Sequence, residues 1–315
     1  MKITRFLAIG MMAAVLFLNG CLNDDDPAAD LPNITELISS NNDLRTFNRA
    51  LELTNLTSLL EGSDGVTIFA PNDFAFDTYI ASNNFSSLED IPLETLRNTL
   101  LYHIFTGKAD IFEIGTGYYQ TNSTTGPSNS QVVSLIIREN DITRINESAT
   151  AVVTDIEGNN GFLHILDAVV TPPSLEEIFT VNPSFSIFME GLERIGQTEL
   201  LDSGQPITIF APPNLAFDEF FSDNPSFSTV GEIPLDRLET LLLHHVIDGF
   251  NDGNTISADV SGVLQAYDTF AGDTLTISGS GSSLIVDNKA LFISVNIIGT
   301  NGVAHFLDKV LDGTF

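Results

Sequence analysis

The chain has 315 residues and a formal net charge of −30, from 42 acidic and 12 basic residues. This length holds about two domains, and the hydrophobic content of 43% is sufficient for packed cores. Proteins that bind nucleic-acid backbones need Lys and Arg, so this surplus of acid argues against a nucleic-acid partner. Composition therefore predicts a globular protein with a self-repelling acidic surface.

The first 20 residues have the pattern of an export signal and are predicted to lie outside the fold. Lys2 and Arg5 precede the apolar run Phe6–Leu18, which is too short to span a bilayer comfortably. The run ends at Leu-Asn-Gly-Cys, which resembles the lipobox of bacterial lipoproteins, where the cysteine is acylated. Cys21 is the only cysteine and cannot form a disulfide within the chain, so we predict that it carries a lipid anchor. The alternative is an ordinary signal peptide with an incidental cysteine.

Residues 21–32 are predicted to form an acidic tether. Three aspartates, Asp24–Asp26, follow the cysteine. An acidic run at this place resembles the surface-export signal of Bacteroidota-type lipoproteins. The resemblance implies a lipid-anchored protein of the outer membrane that is exposed at the cell surface. The alternative is a simple flexible tether on the periplasmic face.

One short stretch occurs twice and organises the rest of the chain. Thr67–Phe76 reads TIFAPNDFAF, and Thr208–Phe217, 141 residues later, reads TIFAPPNLAF. Proline fixes φ and has no N–H, so a strand is predicted to end at Pro71 and Pro212 and a helix to begin after each. A strand-to-helix switch that recurs at a fixed distance indicates one structural unit used twice.

Helices are predicted on both sides of the first switch. Apolar residues recur at helical spacing from Leu37 to Leu60. Asn72 is placed to cap the helix that follows the switch; the second copy has Pro213 there, so its cap is absent or moves to Asn214. Asp90-Ile91-Pro92 then predicts an acidic cap and a first-turn proline for a further helix. The apolar face of that helix is predicted to contain Leu93, Leu96, Leu100 and Ile104.

The later part of each unit is predicted to be β-structure. Each unit closes on a matched strand, 161–167 and 302–308, which begins at an Asn-Gly turn. Both faces of this strand are largely apolar, so it should be central in its sheet. Thr171–Pro173 marks the boundary between the units. The shorter strands are predicted at Val132–Ile137, Ile142–Ile145, Thr150–Thr154, Thr274–Ile277 and Leu284–Val286.

Three motifs occur in the same order in both units: Phe-Ala-Pro followed by Ala-Phe, a histidine at a helix end, and Asn-Gly-x-x-His-x-x-Asp. They lie at Phe69–Phe76, Tyr102-His103 and Asn160–Asp167 in the first unit, and at Phe210–Phe217, His245 and Asn301–Asp308 in the second. Together they resemble the fasciclin domain, in two tandem copies over residues 33–172 and 173–315. The resemblance implies an α+β fold in which each domain is a β-sheet wedge with helices packed around it.

The resemblance also implies an extracellular role in adhesion without catalysis. In animal members of the family, a Tyr-His pair and an Asp-Ile pair are linked with integrin binding. Tyr102-His103 and Asp155-Ile156 match these pairs in the first copy, whereas the second copy has His244-His245 and Asn296-Ile297. We therefore predict a binding role for Tyr102, His103, Asp155 and Ile156; the alternative is that these positions maintain the fold.

The histidines are predicted to be buried, neutral and hydrogen-bonded at both nitrogens. None has a second His or Cys at ligand spacing, so no metal site is predicted, and the loop 251–254 lacks the terminal Glu of an EF-hand. A His and an Asp three residues apart on a strand face opposite sides, which disfavours a catalytic pair. No cofactor or catalytic residue is predicted. The residues interpreted as structural are Pro71, His164, Asp167, Pro212, His245, His305 and Asp308.

Two functions remain open at this stage. The first is a monomeric, surface-tethered adhesion or interaction module that meets extracellular protein or matrix and glycan partners, and contacts the membrane only through its lipid anchor. The alternative is an accessory glycan-binding or nutrient-capture lipoprotein. A glycan site would need an aromatic platform, and the chain has no Trp. Tyr118-Tyr119, predicted to be exposed in a Gly-rich loop, would have to supply it.

Overall fold

The fold is taken from a computed structural model, which describes residues 31–61, 65–202, 204–253, 256, 264–280 and 283–312. The predicted export signal, Cys21 and most of the predicted tether lie outside the described residues. Within the described chain no helix is long and apolar enough to cross a bilayer. The helices are α1 (Ile34–Ser40), α2 (Arg45–Leu53), α3 (Asp73–Ser82), α4 (Leu93–Tyr102), α5 (Leu175–Thr180), α6 (Ser186–Arg194), α7 (Asn214–Asp223) and α8 (Leu235–Leu243).

The strands divide equally between an N-terminal half, domain 1, and a C-terminal half, domain 2. Domain 1 contains β1 (Val66–Pro71), β2 (Ile104–Thr106), β3 (Gly117–Gln120), β4 (Val133–Glu139), β5 (Ile142–Ile145), β6 (Ala149–Gly158) and β7 (Gly161–Leu166). Domain 2 contains β8 (Ile207–Ala211), β9 (Val246–Asp248), β10 (Gln265–Asp268), β11 (Thr274–Ser280), β12 (Ser283–Val286), β13 (Ala290–Gly299) and β14 (Gly302–Leu307).

Each domain is a β-sheet wedge with helices around it, as predicted. The strand order in domain 1 is β2-β1-β7-β6-β5-β4-β3, and in domain 2 it is β9-β8-β14-β13-β12-β11-β10. Among the strand pairs of the described residues, only β1 with β7 and β8 with β14 run parallel. The long strand β6 pairs at its start with β5 and through the rest of its length with β7. It therefore joins the two halves of the wedge.

The parallel pair at the centre of each domain separates two apolar cores. In β1, Ile68 and Ala70 belong to the core beneath the helices, whereas Phe69 belongs to the core against β4 and β5. In β8, Ile209 and Phe210 divide in the same way. Alternate residues of a strand face opposite sides, and both faces are covered here. The prediction of a doubly buried, central closing strand is confirmed.

The repeated Asn-Gly motif has a separate structural purpose for each residue. A Cβ on Gly161 would lie 1.9 Å from the Val66 carbonyl oxygen, and one on Gly302 would lie 2.3 Å from that of Ile207. Only glycine permits so close an approach of the central strands. The side chain of Asn160 accepts from Ile34 N–H and donates to Leu60 C=O. Asn301 makes the same two bonds in domain 2, so each Asn fastens the first helix of its domain.

The two helices that follow the Ala-Pro switch begin differently. Asn72 caps α3 by accepting from Ala75 N–H at 2.8 Å, as predicted. In α7 the cap is absent: Pro213 occupies that position without a side-chain bond, and Asn214 accepts instead from Ile187 N–H. The second of the two alternatives, a cap moved to Asn214, is therefore wrong.

The predicted apolar face of α4 is partly wrong. Leu93 is 54% exposed, and Ile104 lies in β2 because the helix ends at Tyr102. Asp90 does not cap α4, since its carboxylate accepts from Ser86 N–H in the preceding turn. The apolar spacing continues beyond the end of α4 because β2 begins two residues later with the buried Ile104.

The two domains are packed against each other across the short linker. Val133 of domain 1 belongs to the core cluster of domain 2. Ile298 and Val303 of domain 2 belong to a core cluster of domain 1. Tyr118 packs against Phe306 with ring centroids 5.7 Å apart. The junction is thus an apolar contact to which both domains contribute.

Candidate functional site

The predicted Tyr-His pair lies at the C-terminal end of α4, where it is buried. His103 is 2% exposed; its Nδ1 bonds Thr99 C=O at 2.7 Å and its Nε2 accepts from Val170 N–H at 3.2 Å. This arrangement requires the neutral imidazole with its proton on Nδ1. Burial lowers the pKa of His103 to about 4, despite the bond to Thr99. His103 therefore ties the helix end to the chain entering the linker.

Tyr102 is 1% exposed and forms the centre of an uncharged network. Its hydroxyl donates to Val133 C=O at 3.0 Å and accepts from Asn146 Nδ2 at 2.7 Å. Asn146 Oδ1 in turn accepts from Leu135 N–H. Burial raises the pKa of Tyr102 well above its ordinary value. These contacts favour a fold-keeping role for Tyr102 and His103 over direct contact with a partner.

The corresponding pair in domain 2, His244 and His245, separates into two kinds of histidine. His245 repeats the bonding of His103, with Leu241 C=O and Leu311 N–H as partners, and burial lowers its pKa to about 3. His244 instead bridges two carboxylates, with Nδ1 2.7 Å from Asp273 and Nε2 2.7 Å from Asp287.

The two carboxylates decide the charge of His244. Burial lowers the pKa of His244, but the hydrogen bonds and charges of Asp287 and Asp273 outweigh burial and raise it. Burial likewise raises the pKa of each aspartate, and the bonds to His244 and neighbouring hydroxyl or backbone groups outweigh it and lower both values. The prediction that every histidine is neutral is therefore wrong for His244, which is an imidazolium between two carboxylates.

Asp155 and Ile156 lie in β6, where that strand is irregular. Asp155 has a left-handed φ of 61°, and the register against β7 shifts next to it. Its carboxylate accepts from Ile111 N–H at 2.7 Å, and its own N–H donates to His164 Nδ1 at 3.1 Å. Ile156 is half-buried against the core beneath the helices. Asp155 thus holds the 107–114 loop against β6.

His164 and His305 are fully buried beside these irregular strands. Phe69 stacks on His164 at 4.7 Å, and Phe210 stacks on His305 at 5.7 Å. His305 Nε2 bonds Asn251 C=O. Nδ1 of His305 has no hydrogen-bond partner among the described residues, so the prediction of two bonds per ring is wrong for His305. Burial lowers the pKa of both histidines.

Asp167 and Asp308 close the sheets and do not pair with the motif histidines. Asp167 accepts from Thr150 N–H at 2.6 Å, and Asp308 accepts from Leu291 N–H at 2.7 Å. Each therefore fastens the start of β6 or β13 to the end of the closing strand. Over the described residues, no group of three or more His, Cys, Asp or Glu side chains is arranged to hold a metal ion. Asn254 of the 251–254 loop, for which no metal site is predicted, lies outside those residues.

Two adjoining cavities, one at the domain junction and one within domain 2, were indicated by no sequence pattern. The first, of about 480 Å³, lies between Leu135, Val169 and Val170 of domain 1 and Ile178 and Val181 of domain 2, with Glu176 and Glu177 also lining it. The second, of about 430 Å³, lies between α5 and α6 and includes Glu190 and Glu193. Glu176 and Thr180 line both cavities. We call the two together the α5 groove.

The proposed aromatic platform is incorporated into the domain junction. Tyr118 and Tyr119 lie in β3 and are half-buried, which corrects their prediction as an exposed loop pair. Tyr118 Oη accepts from Asn182 Nδ2 of domain 2 at 2.9 Å, and Tyr119 Oη donates to Gly115 C=O. Burial raises the pKa of Tyr118 to about 12. The geometry does not present the two rings side by side to a sugar.

Comparison with known families accounts for the repeated architecture. The family model of the Fasciclin domain matches residues 42–172 and 183–312. The chain belongs to the fasciclin-domain family. It contains two tandem fasciclin domains, and fasciclin domains are generally involved in cell adhesion or interaction.

Relatives of this fasciclin pair include animal and fungal proteins. It is 27% identical over 256 residues to transforming growth factor-beta-induced protein ig-h3 of Sus scrofa, covering 80% of this chain and 35% of that protein. It is 22% identical to a fasciclin-like arabinogalactan protein of Arthroderma benhamiae, covering 98% and 70%. The chain thus spans about a third of the length of the ig-h3 relatives.

A solved structure shares the paired fold. It is a FAS1 domain pair from the insect cell adhesion molecule Fasciclin I, with a TM-score of 0.55 and 19% identity. The match covers 85% of this chain and 96% of that one. The tandem arrangement of this chain is therefore a known fold.

Proposed function

We propose that this fasciclin pair is a non-catalytic adhesion or interaction protein held at the outer membrane by a lipid on Cys21. The observation that carries the proposal is the match of two successive Fasciclin domains. Their packing through a shared apolar junction, with Val133 in the core of domain 2, adds support. Two domains joined in this way present one continuous surface to a partner.

The motif side chains support a non-catalytic role because they are used within the fold. His103, His164 and His245 bond backbone groups, and Asp167 accepts from the backbone of Thr150. Catalysis would require side chains that converge on a substrate-accessible centre. Tyr118 contacts Asn182 in the junction, and therefore offers no support for the alternative of a glycan-capture protein.

The anchor and the location can be tested together on intact cells. We expect the native chain to take up a palmitate analogue and to be removed by external protease, whereas Cys21→Ser is unlabelled and absent from the outer-membrane fraction. Survival of labelled native protein under protease would place it on the periplasmic face. Deletion of the gene should reduce attachment to other cells or to matrix, and unchanged attachment would contradict the adhesion role.

A further inference from the structure

The α5 groove combines a concave apolar surface with carboxylates on one side of the domain junction. The half-buried Val169 and Val181 present apolar side chains to the cavity between the domains, which the buried Val170 and Ile178 also line. The half-buried Met189 presents one to the adjoining cavity, which the buried Phe179 also lines. A pocket that is apolar in its interior and carries a few polar groups is the usual form of a binding site.

The charge of the α5 groove has one sign. Four carboxylates line it, from Glu176, Glu177, Glu190 and Glu193, and no Lys, Arg or His is among the lining residues of either cavity. Glu177 has a structural partner, because one of its oxygens accepts from Ser174 N–H at the start of α5. The other three enter none of the ion pairs formed within the described part of the chain.

Most basic side chains in the described part of the chain lie beside carboxylates, whereas Arg97 and Arg194 bond backbone carbonyl groups. Lys108 pairs with Glu157 at 3.1 Å and Lys309 with Glu219 at 2.7 Å. Carboxylates without an ion pair also occur elsewhere on the surface, as at Asp77 and Glu94. The α5 groove is different because it brings three of them together beside apolar side chains. The matching partner is a side chain with an aliphatic stem and a cationic end, and both Lys and Arg lay such stems along apolar surface while keeping the charge in water.

We propose that the α5 groove is the docking site for a lysine- or arginine-bearing segment of a partner protein, with aliphatic stems on the apolar surface and cationic ends at Glu176, Glu190 and Glu193. The inference rests on the proposed function for the presence of a protein partner. Its chemistry comes from the groove alone. Because the charges lie at the solvent boundary, salt will weaken the interaction.

The groove is tested with the full-length chain and a short synthetic peptide that alternates lysine and valine. The groove variant is Glu176→Gln with Glu190→Gln and Glu193→Gln, which leaves the Glu177 cap intact. The control variant is Asp77→Asn with Glu94→Gln and Glu139→Gln, three exposed carboxylates outside the groove. Both variants change the net charge by the same amount. Circular dichroism and thermal unfolding establish that each remains folded.

We expect calorimetry to show a loss of about tenfold in peptide affinity for the groove variant, which corresponds to three exposed ion pairs of ordinary strength. The control variant should lose less than about twofold, since the charges it removes do not line the groove and exposed charges are screened by salt. Equal losses in the two variants would overturn the proposal by attributing binding to overall charge. Failure of the native chain to bind the peptide would also overturn it, and would leave the adhesion role to be decided by the attachment experiments.

Discussion

At the end of α4, domain 1 holds the uncharged pair Tyr102 and Asn146, whereas at the end of α8, domain 2 holds His244 between Asp273 and Asp287. The positions correspond, since Tyr102 and His244 each precede the histidine that ties the helix end to the chain after the closing strand. The same fold therefore accepts a neutral network in one copy and an ionised one in the other.

The difference follows what covers each site. In domain 1, Asn146 lines the groove that α5 of domain 2 partly closes. In domain 2, His244 lines a cavity of about 310 Å³ together with Lys289 and Asp312. Charged groups are costly to remove from water, and neutral groups with complete hydrogen bonding are not. The helix-end site that the neighbouring domain covers is therefore uncharged, and the corresponding site that lines an open cavity is charged.

The largest predicted effect tests the close approach of the central parallel strands, a feature that both domains share. Gly161→Ala should destabilise domain 1 by about 3 kcal/mol, because the new methyl group would meet the Val66 carbonyl oxygen. Gly302→Ala should destabilise domain 2 similarly. Urea unfolding measures both. The control is Gly204→Ala, where an added Cβ meets no atom within 4 Å. If Gly161→Ala is as stable as the native chain, the close approach of the central strands does not require glycine.

The next effect separates the ionised site from the neutral one. His244→Gln should cost about 2 kcal/mol at neutral pH, since it removes the cation that two carboxylates share. Tyr102→Phe should cost about 1 kcal/mol, because it removes neutral hydrogen bonds to Val133 and Asn146. Chemical denaturation of the two variants gives both values. A larger cost for Tyr102→Phe would contradict the charge assignment at His244.

The pH dependence should also differ between the domains. The pKa of His244 is raised above its ordinary 6.5, so its contribution is complete below that value and is lost as the pH rises through the raised pKa. The stability difference between the native chain and His244→Gln should therefore shrink on the alkaline side. A difference that grows with rising pH would show that His244 is neutral when folded.

Acid should weaken both domains. The pKa values of His103 and His245 are lowered in the folded state. Below a pH of about 6.5 the unfolded chain therefore binds more protons than the folded chain, and the free energy of unfolding falls. Domain 2 has a further loss at lower pH, as Asp273 and Asp287 are protonated through their lowered pKa values. Hydrogen exchange resolved by domain, and corrected for the intrinsic rate at each pH, separates these ranges.

The smallest predicted effect concerns the junction itself. Tyr118→Phe removes one hydrogen bond to Asn182 across the domains and should reduce their coupling by about 0.5–1 kcal/mol. Tyr119→Phe is the matched control, since its hydroxyl bonds Gly115 within domain 1. Unfolding followed by domain-resolved hydrogen exchange should show less coordinated opening only for Tyr118→Phe. Equal behaviour of the two variants would show that the apolar contact alone couples the domains.

Much of the fold could be predicted from the sequence because the same local signals for strand ends, helix starts and turns occur in both copies. The Ala-Pro switch at Pro71, the cap at Asn72 and the central strand from Gly161 are all local signals, and the structure has each of them. Where two short elements adjoin, as at Tyr102 and Ile104, a continuous apolar period hid the boundary between helix and strand.

The site was harder to predict because its chemistry depends on distant partners. Nothing local to His244 reveals that Asp273 and Asp287, 29 and 43 residues away, meet its two nitrogens. The α5 groove is likewise formed only when Val170 of one domain faces Ile178 of the other. Comparing corresponding positions of the two copies shows the exchange of Asn146 for Asp287, beside the exchange of Tyr102 for His244 noted from the sequence.

The open face of domain 2 also determines how this protein can assemble. Repeated units that associate head to tail form open filaments unless one face cannot bind the next unit. In domain 1, Val133 packs into the core of domain 2 and Ser148 lines the cavity between the domains. The corresponding positions of domain 2 are Thr274 and Lys289, and Lys289 pairs with Asp312. A further unit at these positions would have to strip water from the charges of Lys289 and Asp312. We therefore expect a second copy of the chain not to stack on this face of domain 2.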